Sequence, residues 1–215
     1  MSGRTRDADA TRRKLLEAAE AVFVDHGFDG VRVDDIAARA GVNKRMIYEY
    51  FGNKEDLYFR VLRTNYDRLF EAERGVVCEP RDAITSATEG LRGYFRFLAE
   101  NPGFVRLVGH DVVATSSRAG DELRDLAGTG LARLQALLAR GIADGTFRSD
   151  LDLRMLVVAA ASLCMGVFQR RAVIERLWGL DLDDPATREH VVDHLVALFL
   201  DGVRPRETVA ERRKG

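Results

Sequence analysis

The segment from Val33 to Leu57, VDDIAARAGVNKRMIYEYFGNKEDL, constrains the fold more than any other part of the chain. Val33, Ile36, Ala37 and Ala40 recur at helical spacing, which gives a short helix one apolar face. Gly41 can take the left-handed conformation that ends such a helix. Asn43 can open the next one by accepting from its unpaired N–H groups. That second helix buries Ile47 and Phe51 and turns Lys44, Arg45, Met46, Tyr48 and Tyr50 outward or sideways. Two short helices on a tight turn, the second with a basic and aromatic outer edge, suit entry into a DNA major groove. The segment predicts DNA binding, with the motif at about 33–51.

The other periodic segments are helical too, and alternating β-branched runs are scarce, so the expected class is all-α. A first helix is expected over 8–26, with Leu15, Leu16, Ala19, Val22 and Phe23 on one face and Gly27 closing it. Asn53 caps a long helix that carries Leu57, Val61, Leu62, Tyr66, Leu69 and Phe70. Gly75 to Pro80 is the clearest break in composition. Further helices are expected over 81–100, 102–117, 120–144, 151–178 and 184–202, the last opened by Asp184-Pro185. The organisation expected is a DNA-binding domain at 8–55, a connecting helix and boundary at 56–78, and a larger helical domain at 79–204.

Bulk charge is no guide to the partner, since 33 basic residues face 34 acidic ones. Local charge is the useful quantity. Arg4, Arg6, Arg12, Arg13 and Lys14 crowd the amino end, and Lys44, Arg45 and Lys54 crowd the motif. The amino-terminal cluster is either a disordered tail or an arm that follows the DNA backbone or enters a minor groove. Two cysteines far apart, Cys78 and Cys164, fit free thiols in a reducing cytosol and neither a disulfide framework nor a zinc site. A charged amino terminus argues against a secretory signal, and the run from Met155 to Phe168 is too short to cross a bilayer. The reading is a cytoplasmic protein that needs no cofactor and no metal.

The residues of this segment and its flanks resemble the tetracycline-repressor (TetR) family of transcriptional regulators. The likeness is specific over roughly 9–62, through LLEAAEAVFVDHGFDG, VDDIAARAGVNKRMIYEYF and GNKEDLY. It is weaker beyond, in NPGFVRLV, GIADGTFRSDLD and VALFLDGVRP. The resemblance implies a homodimer with a three-helix helix-turn-helix head in each subunit. It further implies a carboxy-terminal domain that binds a small molecule and pairs through its last two long helices. One departure stands out: the family usually places Thr or Ser at the start of the second helix, and here the residues are Val31-Arg32-Val33. Either Arg32 reaches a phosphate itself or that contact is missing, and Asp29 is a candidate for the cap.

Arg45 lies in the first turn of the recognition helix, where it could read guanine O6 and N7, a contact worth about 1–3 kcal/mol of discrimination. Lys44 beside it is the other basic candidate; positive charge at a helix start is mildly unfavourable, which argues for an outside anion. Arg32, Asn43, Met46, Tyr48, Tyr50 and Lys54 complete the expected DNA-binding set, the tyrosines for phosphate and sugar and Lys54 for a phosphate. Tyr94, Phe95, Leu98, Phe104, Leu107 and Leu138 lie at helical spacings that could line an apolar ligand cavity, although such stripes are more often plain core. His110 could orient a ligand, and Cys164 in the most apolar helix joins the set although packing is its plainer role. His110 and Asp111 are adjacent and do not face each other on a helix, and no spacing assembles nucleophile, base and orienter, so no enzyme is expected. Val191, Val192, Leu195, Val196, Leu198 and Leu200 wrap more than one face of the final helix, as a pairing surface would.

The function expected is a dimeric repressor on a near-palindromic operator, released by a small, mostly apolar ligand. A ligand-independent DNA-binding regulator, or an activator, is the alternative.

Overall fold

Several helices begin at a side chain that accepts from a free N–H group, as at Asn53, Asp82, Asp152 and Asp184. Several end at a glycine, as at Gly27, Gly41, Gly52 and Gly179. The computed structural model describes residues 2–78, 82–109 and 118–205, and among these it contains helices and no strand. The chain divides into two compact units, Met1–Arg68 with Asn101–Gly128, and Leu69–Glu100 with Thr129–Gly215.

In the first unit, α1 (Ser2–His26) buries Leu15, Ala18, Ala19, Val22 and Phe23. It starts several residues before the expected position 8, because nothing between Arg4 and Thr11 breaks a helix. Gly27, at φ 69°, closes it by donating its N–H to Phe23 O at 2.9 Å. Helix α2 (Val33–Ala40) packs on α1 through Ile36 and Ala37 and ends at Gly41, which takes φ 66°. Helix α3 (Arg45–Phe51) buries Ile47 and Phe51. Helix α4 (Lys54–Cys78) is capped as expected: Asn53 Oδ1 accepts from Asp56 N at 2.8 Å.

Phe23 meets the edge of the Tyr58 ring at 5.0 Å and Phe28 meets it at 5.3 Å, so three rings close the centre of this unit. Burial pushes the Tyr58 hydroxyl up to about 12, with a smaller push from Tyr66. It therefore stays a neutral donor and bonds Leu107 O at 3.1 Å.

Leu107 lies on α6 (Pro102–Gly109), which packs against α1. Helix α5 (Ala83–Glu100) precedes it, and α7 (Arg118–Ala143) follows. The division into units falls inside α4 and α7, so each of these helices contributes to both.

In the second unit α5 packs on α8 (Leu153–Gln169) and α10 (Pro185–Val203). Asp184 caps α10 by accepting from Thr187 N at 2.8 Å with Pro185 in the first turn, as Asp184-Pro185 predicts. Arg92 of α5 pairs with Glu189 at 2.9 Å and also with Asp193 of α10. Leu138, Phe147, Ala83 and Val203 form one apolar cluster. Gly141 of α7 has no room for a Cβ, because the Phe147 ring and Ala83 fill that space.

The single helix expected over 151–178 is instead two, α8 and α9 (Arg171–Trp178), bent by 69° at Arg170. The apolar run ends at Phe168. Gln169, Arg170 and Arg171 follow it, and the Arg171 guanidinium pairs with Asp183 rather than continuing the line of α8. No single described helix is long and apolar enough to cross a membrane.

Candidate nucleic-acid interface

The turn between α2 and α3 is held by its own backbone and one asparagine. Val42 N donates to Ala37 O at 3.1 Å, and Asn43 Oδ1 accepts from Arg45 N at 2.8 Å. The start of α2, where this chain lacks the hydroxyl usual in the family it resembles, is served differently. Arg32 cannot accept a hydrogen bond; its backbone N–H donates to the Asp35 carboxylate at 3.1 Å. Asp35, not Asp29, is the residue that serves this helix start. An acid three residues into a helix is a legible signal, half of a capping box. Arg32 is left exposed.

The outer edge of α3 carries Asn43, Lys44, Arg45 and Tyr48, all exposed, with Tyr48 half open to solvent at 50%. Met46 and Tyr50 differ from them: both are half-buried against the core, and the Tyr50 ring lies 6.5 Å from Phe51. Helical geometry explains this, since positions 46 and 50 flank the buried 47 and 51 on one side of the helix. Lys44 meets an anion within the fold, the Asp34 carboxylate at 3.1 Å, so its charge alone is no argument for an outside partner. Both groups are more than half exposed, so the pair is worth at most about 1 kcal/mol and a phosphate can replace the carboxylate.

Lys54 occupies a tighter place than a phosphate contact requires. Its ammonium donates to Val31 O at 2.7 Å and sits 4.4 Å from the centre of the Phe28 ring. It ties the start of α4 to the loop that leads into α2. Lys54→Met is expected to lower the thermal midpoint by about 2–8 °C, because a carbonyl worth about 1–2 kcal/mol loses its donor. DNA affinity should then fall equally for every sequence, as seen by calorimetry beside a binding titration; an unchanged midpoint would show that the ammonium does not brace the loop.

The basic residues of α1 are partly accounted for. Arg12, Arg13 and Lys14 are exposed on a helix, and the Arg12 guanidinium lies 5.6 Å from the centre of the Phe51 ring at the end of α3. Sequence spacing alone could not have brought position 12 to position 51.

The residues expected to line a ligand cavity are divided between the two units. Phe104 and Leu107 belong to the first unit: Phe104 lies edge-on to Tyr66 at 5.4 Å, and Leu107 is part of the core around Phe23. Both lie at the helical spacings that the α5 stripe also shows, and α6 packs on α1, where Gly103 faces Val24. In the second unit Phe95 packs on Phe168 with ring centres 4.8 Å apart, Leu98 and Cys164 are buried, and Tyr94 is half-buried beside them in sequence. Leu138 lies in the cluster with Phe147. Burial pushes the Cys164 thiol up to about 12, so it holds no thiolate near neutral pH. His110 lies outside the described residues.

Residues 15–61 match the family described as bacterial regulatory proteins, tetR family, and residues 80–198 match a tetracyclin repressor-like carboxy-terminal domain. The chain belongs to the TetR family. It is a DNA-binding transcriptional regulator of that family, and the head built by α1, α2 and α3 is its helix-turn-helix. Among relatives, the HTH-type transcriptional repressor NicS of Pseudomonas putida is 30% identical over 203 residues, covering 94% of this chain and 96% of the relative. Solved folds agree. The ketosteroid transcriptional regulator KstR2 of Mycobacterium tuberculosis superposes with a TM-score of 0.69 at 22% identity, over 91% of this chain and 95% of that one. FadR of Bacillus subtilis, in complex with stearoyl-CoA, superposes with a TM-score of 0.68 at 19% identity, over 89% and 99%.

Proposed function

We propose that this protein is a homodimeric repressor whose grip on a near-palindromic operator is relieved by a small, mostly apolar ligand, and that it catalyses no reaction. The carrying observation is the exposed edge of Asn43, Lys44, Arg45 and Tyr48, with Arg32 exposed at the start of α2. Arg45 reads a base and Lys44 leaves Asp34 for a phosphate, while Tyr48 and Arg32 fix the register. Met46 and Tyr50 shape the helix from beneath, and Lys54 supports the loop. Residues 8–55 act as the DNA-binding domain, 56–78 as the connection and 79–204 as the ligand-binding and dimerisation domain, in the cytoplasm.

The ligand is assigned to the region of Tyr94, Phe95, Leu98 and Cys164, whose aromatic and aliphatic lining matches an apolar molecule. That the FadR fold holds stearoyl-CoA supports an acyl-chain class of ligand. Pairing is assigned to α8 and α10, where Met155, Val158, Leu163 and Leu198 stand in the open. Gating is assigned to α4. Within the first unit Glu122 of α7 pairs with Arg60 of α4 at 2.7 Å and with Arg63 at 3.5 Å, so a shift of α7 is felt by the helix that opens beside the head. A ligand relieves repression only by favouring the geometry that mis-spaces the two heads.

The test is a fluorescence-anisotropy titration of the protein on DNA from its own upstream region, repeated with stearoyl-CoA and with free CoA. Binding that falls steeply with salt and is weakened by the acyl form alone is the expected result. Affinity indifferent to both would favour a ligand-independent regulator, and absence of DNA binding would defeat the reading outright.

A further inference from the structure

Two carboxylates stand in the first turn of α2, and they are used differently. Asp35 accepts from Arg32 N at 3.1 Å and serves the helix start. Asp34 reaches instead across the turn to the Lys44 ammonium at 3.1 Å, on the edge that also carries Asn43, Arg45 and Tyr48. The fold has little need of this second contact. The turn is already held by Val42 N donating to Ala37 O and Arg45 N donating to Asn43 Oδ1, while Ile36, Ala37 and Ile47 lie buried in the core of the head. Asp34 and Lys44 are 67% and 59% exposed, so water screens their attraction and the pair adds little to stability. Lys44 also stands at the N-cap of α3, where the helix dipole disfavours a cation, so its ammonium takes whichever anion lies nearest.

We infer that Asp34 limits the affinity of the head for all DNA by serving as an internal counter-ion for Lys44, an inference that rests on reading Lys44 as a phosphate contact. In the free protein the Lys44 charge is already answered. To bind, Lys44 exchanges one anion for another, and the gain at that phosphate is only the difference between the two. A bare cation that neutralises one phosphate steepens the salt dependence of binding by about 0.9. A cation that arrives paired adds less, because salt also loosens the pair it has to leave.

Phosphate contact carries no sequence information, yet it supplies nearly all non-specific binding. Asp34 therefore trims the sequence-blind part of the grip and leaves base preference to Arg45. It is a positioning residue, acting on DNA through Lys44.

The test is a double-mutant cycle on the full chain: the parent, Asp34→Asn, Lys44→Met and the two combined. Each is titrated by fluorescence anisotropy against DNA from the protein's own upstream region and against an unrelated duplex of equal length, over a salt series. Asp34→Asn is expected to tighten both duplexes alike, by about fivefold, and to steepen the salt slope by up to about 0.9, with the thermal midpoint near that of the parent. In the Lys44→Met background the same substitution should change affinity by less than about twofold. Tightening of equal size in that background would overturn the inference, because the carboxylate would then act on DNA by plain repulsion. Binding weakened by Asp34→Asn would overturn it too, making Asp34 a DNA contact if the midpoint holds and a brace of the turn if the midpoint falls. Binding lost on Lys44→Met but indifferent to Asp34→Asn would sink this inference alone. Titrations that ignore Lys44→Met on both duplexes would remove the phosphate reading of Lys44, and this inference with it.

Discussion

Phe23→Ala is expected to destabilise the head so far that DNA binding is lost at temperatures the parent protein tolerates. Phe23 is fully buried in α1, stands edge-on to Tyr58 at 5.0 Å and lies 6.3 Å from Phe28. Removing a buried phenylalanine costs about 3–5 kcal/mol, through lost transfer energy and the cavity left behind. That is a large share of the 5–15 kcal/mol that holds a typical domain together. The rings cannot collapse inward to compensate, because the Tyr58 hydroxyl is tethered to Leu107 O and the start of α4 is tethered to Val31 O. Calorimetry should show the midpoint lowered by about 6–20 °C, and operator binding should vanish at temperatures where the parent protein still binds. A variant that melts with the parent would mean that these three rings are not the centre of the head.

The second large effect is on specificity. Arg45→Ala should weaken binding to the preferred operator by about 5- to 150-fold, the equivalent of about 1–3 kcal/mol, and leave binding to unrelated DNA nearly unchanged. Arg45 is exposed, its backbone N–H is fixed by Asn43 Oδ1, and it stands in the first turn of α3, so truncation leaves the helix intact. Titrations against an operator series substituted at one base pair at a time should show preference lost at a single position in each half-site. An equal loss on every sequence would make Arg45 a phosphate contact, and the base reader would have to be sought at Asn43 or Tyr48.

The head was legible because its signals are local. Apolar residues at Val33, Ile36 and Ala37, then Ile47 and Phe51, state which faces are hidden, and Gly27, Gly41 and Asn53 state where helices stop and start. Those signals depend on neighbours a few residues away, and the structure agrees with them. What escaped was set by distant partners. Nothing near Lys54 indicates that its ammonium is used by Val31, and nothing near Lys44 indicates Asp34. Phe104 and Leu107 carry the same periodicity as the α5 stripe, and no local signal shows that α6 packs on α1. The bend at Arg170 likewise lies beside a pairing that spacing does not announce, that of Arg171 with Asp183 a dozen residues downstream. Asp35 is the exception, a local signal three residues from Arg32 that stands in for the absent hydroxyl.

Helix α7 contains Gly120, Gly128, Gly130 and Gly141, an unusual load for a long helix, since each forfeits up to about 1 kcal/mol relative to alanine. The ring edge of Phe70 fills the space a Cβ would need at Gly130, and that of Phe147 does so at Gly141. At these two glycines the helix backbone comes close against aromatic rings supplied by other parts of the chain. A side chain larger than hydrogen at either notch would have to displace a ring, so the fit of α7 at these two points is set by what its sequence leaves out.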